Sequence, residues 1–281
     1  MRADPGTPAA SAGDHLRRWR RRRQLSQLDL ALQAGVSQRH LSFLESGRAE
    51  PSRDMLLRLT ERLDVPLRDR NVMLLAAGFA PVFTERSLDD PTLAAAREAI
   101  GRVLRGHEPF PALAVDRHWN LVAANAALPP LLTGVADQAL LLPPINVLRL
   151  SLHPAGLASR IVNLPAWSGH LLDRLRRQAA VTADPALARL LDELVAYPAG
   201  SSRAEGTSVP ADHGEIFVPL QLRTEVGLLS FLSTTTVFGT PRDITLSELA
   251  IEAFFPADAE TARLLGDDAS TRKGRGSIAR E

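Results

Sequence analysis

Apolar residues in the first 80 positions recur at the three- and four-residue spacing of α-helices. Ser26 and Asp29 form a capping-box pattern at the start of one such segment. Gly35 follows it, where a helix end favours a left-handed residue, and Ser37 can cap the next helix. Two short helices joined at Gly35 predict a helix-turn-helix in an all-α domain. The apolar positions of these helices are Leu16, Trp19, Leu30, Ala31, Ala34, Leu41, Leu44, Met55, Leu56, Leu59 and Leu63, and a further helix is expected from about Leu67 through Val72, Leu74 and Leu75 to Gly78.

The remainder of the chain mixes helical and strand patterns. Apolar runs at 111–115 and 120–124, joined by polar residues, predict one hairpin, and runs at 215–223 and 227–238 predict a second. Together they predict an α+β, PAS-like domain with a small antiparallel sheet and helices on a face. Helices are expected over 92–104, most of 157–180, 185–194, 245–254 and 258–265, whereas 140–150 is apolar but ambiguous.

Composition is typical of a soluble protein, with 45% hydrophobic and 23% charged residues among 281. The absence of cysteine excludes a disulfide scaffold, a thiolate zinc site and a cysteine nucleophile, and it suits the reducing cytoplasm. No apolar run approaches a membrane span, and no signal peptide is predicted. We expect a disordered N-terminus at 1–12, a helix-turn-helix domain at 13–80, a linker at 81–91, a second domain at 92–265 and a disordered tail at 266–281.

The formal net charge of +1 is an average over two unlike segments. Residues 1–80 hold 14 arginines against 9 acidic residues, whereas residues 81–265 hold 15 arginines against 20 acidic residues. A basic N-terminal domain joined to an acidic domain fits a nucleic-acid partner for the first domain only. The densest basic run, which includes Arg17, Arg18, Arg21 and Arg22, is by itself equally consistent with a solvated helix face.

Short motifs in the first domain resemble one known family. They are Ser26-Gln27, Leu30-Ala31, Ala34-Gly35-Val36-Ser37, Leu41-Ser42, Leu44-Glu45 and Gly47-Arg48 followed by Pro51-Ser52. Over about residues 15–79 the chain resembles the lambda-repressor-like, or XRE-type, DNA-binding domain. The resemblance implies that double-stranded operator DNA is the partner, with the second helix of the motif in the major groove.

The resemblance also assigns roles to individual residues. Gln38 and Arg39 occupy the principal base-reading positions, and these side chains pair bidentately with adenine and guanine, respectively. Phe43 stands where relatives often carry a polar base reader; it packs either on a thymine methyl or against its own domain. Arg20 and Glu45 match a buried structural ion pair. Further contacts to bases or phosphates are implied for His40 and Ser42, and phosphate contacts for Gln27, Ser37, Arg48 and Arg53.

Motifs in the second domain resemble another family. They are 115–120 continuing to Asn125, Asn146-Val-Leu-Arg149 with Leu152-His153-Pro154, Ser233 to Thr236, Phe238-Gly-Thr-Pro241, Asp243-Ile-Thr245, Glu248-Leu249 and Phe255-Pro256-Ala-Asp258. Over about residues 90–265 the chain resembles the MmyB-like ligand-binding domain. That family joins this PAS-like domain to an XRE-type reader in the same order, which implies a small apolar ligand, with fatty acids the leading class.

Candidate ligand contacts follow from this resemblance and from the spacing of apolar residues. Arg149 and His153 lie four residues apart and either hold a carboxylate or serve as a cap or an internal salt bridge. Asn125 either contacts the ligand or caps the helix after its strand. The apolar candidates, which are equally consistent with an ordinary core, are Trp119, Leu121, Leu148, Leu152, Ile161, Trp167, Leu171, Phe217, Leu229 and Phe231.

No enzyme motif supports a catalytic role. The seven histidines form no paired metal spacing on one helix, and HExxH, GxSxG, P-loop and GxGxxG patterns are missing. We therefore expect no cofactor and no metal. The sequence predicts a cytoplasmic, ligand-responsive transcriptional regulator that binds operator DNA as a homodimer, with no membrane partner. The alternative is a regulator whose second domain only dimerises or docks a protein partner.

Overall fold

A computed structural model describes residues 10–198, 217–239 and 241–266. The chain divides into two compact units. The first comprises Met1–Ser87 together with Thr240–Ser247, and the second comprises Leu88–Gly239 together with Glu248–Glu281. Disorder was expected over 1–12 and 266–281, of which 1–9 and 267–281 lie outside the described residues. Within the described residues, Ser11 caps α1, Ala12 begins it and Gly266 is helical.

Five helices form the N-terminal part of the first unit: α1 (Ala12–Arg22), α2 (Gln27–Ala34), α3 (Gln38–Glu45), α4 (Arg53–Arg62) and α5 (Leu67–Ala76). The Ser26–Asp29 capping box at the start of α2 is present, and Gly35 ends α2 with a φ of 66°. A second capping box, of Ser11 and Asp14, starts α1. Because these caps are local, they define where each helix begins and ends, and the predicted helix-turn-helix is confirmed.

Apolar side chains from all five helices form one core. Trp19, Leu30, Leu41, Leu59 and Met73 are each at most 2% exposed. Val72 and Leu75, in the apolar run of α5, are exposed, and the core takes Met73 and Leu74 from this helix.

The second unit combines helices with a five-stranded sheet. The helices are α6 (Ala94–Gly106), α7 (Val147–Leu152), α8 (Leu164–Thr182) and α9 (Pro185–Val195), with a final helical stretch at 259–266. The strands are β1 (Ala112–Val115), β2 (Leu121–Ala124), β3 (Leu220–Thr224), β4 (Gly227–Val237) and β5 (Ala250–Pro256). Short 3-10 helices lie at Pro91–Leu93, Pro129–Leu132, Gln138–Leu141 and Ala158–Arg160.

The strands pair antiparallel in the order β2-β1-β5-β4-β3. Ile100 and Leu104 of α6 cluster with Ala112, Ala114 and Ile251 on one face. The larger core, which includes residues of α7, α8 and α9, lies against Leu113 and Phe231 of the sheet. The predicted α+β class is confirmed, and helices contribute to both cores rather than to one face of the sheet.

The prediction of a helix over 245–254 is wrong. Only Ile244–Ser247 (α10) is helical, and β5 lies between β1 and β4 in the sheet. Because both faces of this strand are covered, apolar residues do not alternate cleanly with polar ones, and the run is ambiguous in sequence. The strand predicted over 215–223 begins at Leu220, and residues 215–216 lie outside the described residues.

Candidate functional site

The exposed face of α3 carries the residues expected to read DNA. Gln38 and Arg39 are exposed, and His40, Ser42 and Phe43 are half-buried. Ser37 caps the helix, because its hydroxyl oxygen accepts a hydrogen bond from the His40 backbone N–H at 3.1 Å. The first turn of α3 therefore presents Gln38 and Arg39, the pair expected to read bases, to solvent.

Arg39 and Phe43 contact each other along α3. The guanidinium carbon of Arg39 lies 5.4 Å from the centroid of the Phe43 ring. Residues four apart on a helix are neighbours, and a cation over a ring face is stabilised by about 0.5–1 kcal/mol at exposed sites. In the structure Phe43 contacts Arg39 of its own domain, which corresponds to one of the two roles open to it.

Among the other residues expected to contact DNA, some side chains interact with other residues of the domain and some are exposed. Gln27 donates from Nε2 to Glu45 Oε2 at 2.8 Å, so its side chain is directed toward the ion pair of the domain. His40 Nε2 lies 3.3 Å from the sulfur of Met55. Arg48 and Arg53 are exposed and accessible to phosphate.

A buried ion pair links α1 to α3. Arg20 donates from Nε to Glu45 Oε1 at 2.6 Å and from Nη2 to Oε2 at 2.8 Å. Burial by itself raises the pKa of the Glu45 carboxyl, but hydrogen bonds from Arg20 and Gln27 and the charges of Arg20 and Arg17 outweigh it and lower that pKa. Arg17 also donates to the backbone oxygen of Glu45 at 2.6 Å, which ties the end of α3 to α1.

An apolar cavity of about 100 Å³ lies in the second unit, between the sheet and the helices that cover it. Trp167 and Leu171 of α8 line it, together with Leu113 of β1 and Phe231 of β4. Further lining residues are Pro111, Trp119, Leu121, Leu128, Leu131, Leu132, Val147, Leu148, Leu150, Ser151, Leu157, Arg174, Leu220, Leu222, Ser233, Glu252 and Phe254. The walls suit a hydrocarbon group.

Among the described residues that line the cavity, the charged ones are Arg174 and Glu252. Arg174 donates to Glu252 Oε1 at 2.6 Å and Oε2 at 3.0 Å, and to Thr235 Oγ1 at 2.8 Å. Its guanidinium carbon lies 4.5 Å from the centroid of the Trp119 ring. A guanidinium facing an apolar cavity is chemically suited to a carboxylate head group.

Trp119 is held in an unusual backbone conformation beside this ion pair. Its φ is 67°, the left-handed region that bulky side chains seldom adopt. Asp116 stabilises the turn, because Oδ1 accepts hydrogen bonds from the backbone N–H groups of His118 and Asn120, each at 2.8 Å. The indole N–H donates to Gln178 Oε1 at 2.7 Å. The turn therefore fixes the indole over Arg174.

Two protein-family models match the chain. Residues 16–69 match a helix-turn-helix family, and residues 96–266, more than half of the chain, match the MmyB-like transcription regulator ligand binding domain. The chain belongs to the MmyB-like transcription regulators. It is a DNA-binding helix-turn-helix regulator with a ligand-binding domain, and both resemblances noted in the sequence are confirmed.

A solved structure is similar to part of this MmyB-like regulator. The crystal structure of the clp gene regulator ClgR from Corynebacterium glutamicum is 30% identical, covering 35% of this chain and 90% of that chain, with a TM-score of 0.21. No curated protein matches the chain.

The candidate ligand residues of the MmyB-like regulator fall into two groups. Trp119, Leu121, Leu148, Trp167, Leu171 and Phe231 line the cavity. Leu152, Ile161 and Leu229 are buried core residues that do not line it, and Phe217 is 43% exposed. Asn125 is buried among backbone groups: Oδ1 accepts from the Ala112 N–H at 3.1 Å, and Nδ2 donates to the Leu104 and Phe110 carbonyls.

Arg149 and His153 have other partners. Arg149 donates to both carboxylate oxygens of Glu193, each at 2.7 Å. The His153 ring meets the Tyr197 ring edge-on, with centroids 5.1 Å apart. Burial and the hydrogen bond to Glu193 raise the pKa of Tyr197 to about 12. Of the roles open to Arg149, the structure contains the internal salt bridge.

Arg174 and Glu252 were missed in the sequence for different reasons. Arg174 lies three residues beyond Leu171 and continues the stripe of Trp167 and Leu171 along α8, so the stripe could have identified it. Glu252 lies on the strand that was predicted as a helix, and nothing local to it indicates its partner, 78 residues away.

The described residues of the MmyB-like regulator contain neither a metal-ligand cluster nor a membrane-spanning helix. Within 10–198, 217–239 and 241–266, no group of three or more His, Cys, Asp or Glu side chains is arranged to hold a metal ion. In those same residues, no helix is both long and apolar enough to cross a membrane.

Proposed function

We propose that this cytoplasmic regulator binds operator DNA as a homodimer and that an apolar carboxylate, of the fatty-acid class, occupies the cavity and changes operator affinity. The observation that carries the ligand assignment is the Arg174–Glu252 pair in a wall that is otherwise formed by apolar residues and two serines. The walls are largely apolar, as a hydrocarbon chain requires, and a guanidinium is a natural partner of a carboxylate. The chain then has two conformations, and the ligand and the operator each bind one of them more tightly. Binding of one partner therefore changes the affinity for the other.

The DNA-binding half of the proposal is supported by the charge and shape of the first domain. Its excess of arginine provides the sequence-independent attraction to phosphate. Gln38 and Arg39 on the exposed first turn of α3 supply the base contacts. A single small reader binds weakly, so we expect two copies on half-sites about one helical turn, or a multiple, apart.

The sheet order supports a PAS-like description of the ligand-binding domain. The order β2-β1-β5-β4-β3 has the last strand of the sequence in the centre, between the first and the second hairpin. The central strand β5 lines the cavity through Glu252 and Phe254.

Mass spectrometry of apolar molecules extracted from the purified chain tests the ligand assignment. We expect a fatty-acid-like molecule in stoichiometric amount. The variant Ser233→Trp, which fills the cavity beside Phe231, is the matched control and should release none. Repeated absence of any apolar molecule from the unchanged chain would overturn the assignment and favour a domain that only dimerises or docks a partner.

Arg39→Ala is expected to relax specificity at one operator base pair by about 1–3 kcal/mol, because a bidentate contact to guanine is lost. The measurement is the dissociation constant for a panel of operators that differ by single base pairs. Phe43→Ala should reproduce part of the effect at that base pair, because the ring no longer supports the Arg39 guanidinium.

Arg21→Ala, on the exposed surface of α1, is the control for loss of charge. It should weaken binding to all operators by the same small factor. If Arg39→Ala behaves in the same way, Arg39 contacts only phosphate and the assignment of a base contact is wrong.

A further inference from the structure

Eight residues from late in the chain belong to the DNA-binding unit. The chain leaves the sheet at the end of β4 and re-enters it at the start of β5, and in between Thr240–Ser247 clusters with the first unit. We name residues 241–247 the strap. The chain therefore passes between the units at three points rather than at the linker alone.

The strap is bonded to residues that follow α5. Asp243, which is 5% exposed, accepts hydrogen bonds at Oδ2 from Thr84 Oγ1 at 3.1 Å and from Arg86 Nη1 at 3.3 Å. The Ile244 backbone N–H donates to the Thr84 carbonyl at 2.8 Å. Thr245 Oγ1 donates to the Arg86 carbonyl at 2.6 Å. Ile244 is 2% exposed, so the strap is buried as well as hydrogen-bonded.

Residues 82–86 are in turn bonded to α5. Asn71 accepts at Oδ1 from the backbone N–H groups of Val82 at 3.0 Å and Phe83 at 3.1 Å, and it donates from Nδ2 to the Phe83 carbonyl at 2.7 Å. Asn71 lies on α5, which contributes Met73 and Leu74 to the core of the helix-turn-helix domain. The strap is thus connected through residues 82–86 to α5, and α5 packs in the core of the helix-turn-helix domain.

At both of its ends the strap continues into strands that line the cavity. β4 contributes Phe231 and Ser233 to the cavity wall, and β5 contributes Glu252 and Phe254. Ser233 is opposite Phe254 in the sheet, and Arg174 bonds to both Thr235 and Glu252. Three residues separate β4 from the strap, and two separate the strap from β5. No long loop therefore lies between the strap and either strand to absorb a movement of the strands.

We propose that the strap is the element that transmits the state of the ligand cavity to the DNA-binding domain. The inference rests on the proposed function, since it names the route by which that function is regulated. A ligand that separates Arg174 from Glu252, or that pushes on Phe231 and Phe254, shifts β4 and β5. The shift moves Asp243 and, through Thr84 and Asn71, changes the position of α5.

The test is a cycle of variants in the full-length chain, read as the dissociation constant for an operator fragment selected from random DNA. Ser233→Leu fills the cavity next to β5 and is expected to change this constant by at least about fivefold. In the Asp243→Ala background the same substitution should have almost no effect. Thr84→Val with Thr245→Val is a second background that keeps Asp243 and its own turn.

Ser247→Ala is the matched control, because the Ser247 hydroxyl donates to the Ile244 carbonyl inside the strap and not to residues 82–86. The effect of Ser233→Leu should be intact in that background. The proposal is overturned if Ser233→Leu leaves operator affinity unchanged in the otherwise unaltered chain, or if its effect persists in both strap-deficient backgrounds.

Addition of dodecanoate to the same variants separates this proposal from the proposed function. If dodecanoate has no effect while Ser233→Leu acts only through an intact strap, the ligand assignment fails and the strap stands. If dodecanoate changes operator affinity equally with and without Asp243, the ligand assignment stands and the strap is overturned.

Discussion

Replacing Glu45 by alanine is expected to lower the free energy of unfolding of the helix-turn-helix domain by about 3–5 kcal/mol. The Glu45 side chain is fully buried, and its removal leaves the Arg20 guanidinium buried without a counter-charge. Gln27 loses its acceptor in the same substitution. The loss exceeds that expected for a surface ion pair, which contributes at most about 1 kcal/mol.

The measurement uses the full-length chain, with hydrogen-exchange mass spectrometry of peptides from α1 and α3 at increasing urea concentration. Peptides from β4 and β5 report the other domain separately. Glu50→Ala, at an exposed acidic residue in the loop after α3, should change stability by less than about 0.5 kcal/mol. A loss below about 1 kcal/mol for Glu45→Ala would contradict a structural role for the pair.

The same pair predicts a dependence on pH with a definite sign. The folded-state pKa of Glu45 lies below its ordinary value of 4.5, so the ionised form stabilises the domain above that value. The contribution is lost as the pH falls through the lowered pKa. The difference in stability between the unaltered chain and Glu45→Gln should therefore be constant above about pH 5 and shrink below pH 4.5.

How far the fold follows from the sequence depends on the range of the interactions that determine each element. The ends of α2 could be predicted because Ser26, Asp29 and Gly35 act within one turn of the helix. β5 could not, because its pairing with β1 and β4 joins segments far apart in the chain. Its apolar run fits a helix as well as a central strand until those partners are known.

In the candidate site, too, features that depend on local spacing could be predicted and features that depend on distant contacts could not. The apolar wall was half predicted, because Trp167 and Leu171 follow helical spacing and mark the inner face of α8. Arg149 was a plausible carboxylate partner by spacing, but it does not line the cavity, whereas Arg174 does. Both arginines are paired with a glutamate. Which arginine faces the cavity depends on contacts between distant parts of the chain, and these are not visible in sequence.

Substitutions of Arg174 and Glu252 are expected to change the affinity for dodecanoate in opposite directions. In the proposed complex the carboxylate shares the guanidinium of Arg174 with Glu252. Arg174→Gln removes a charge-assisted hydrogen bond of about 1.5–3 kcal/mol, so affinity should fall roughly tenfold or more. Glu252→Gln removes the competing carboxylate, and affinity should rise while the apolar wall stays intact.

Substitutions of Arg174 and Glu252 also change the stability of the domain, and this effect must be measured separately from the effect on ligand affinity. Arg174→Gln leaves Glu252, whose side chain is 6% exposed, buried with Thr235 as its remaining partner, which costs about 3–5 kcal/mol of stability. The double variant Arg174→Gln, Glu252→Gln has no uncompensated charge and should regain most of that loss. It should still bind dodecanoate weakly, because the guanidinium is absent.

Isothermal titration calorimetry with dodecanoate and with dodecanol resolves the role of the charge. Dodecanol has the same chain and no carboxylate, so it should bind the unaltered chain and both single variants with similar affinity. Opposite shifts for dodecanoate alone would establish Arg174 as the head-group site. Parallel shifts for both ligands would mean that the substitutions act only on the shape of the cavity, and that the carboxylate lies elsewhere.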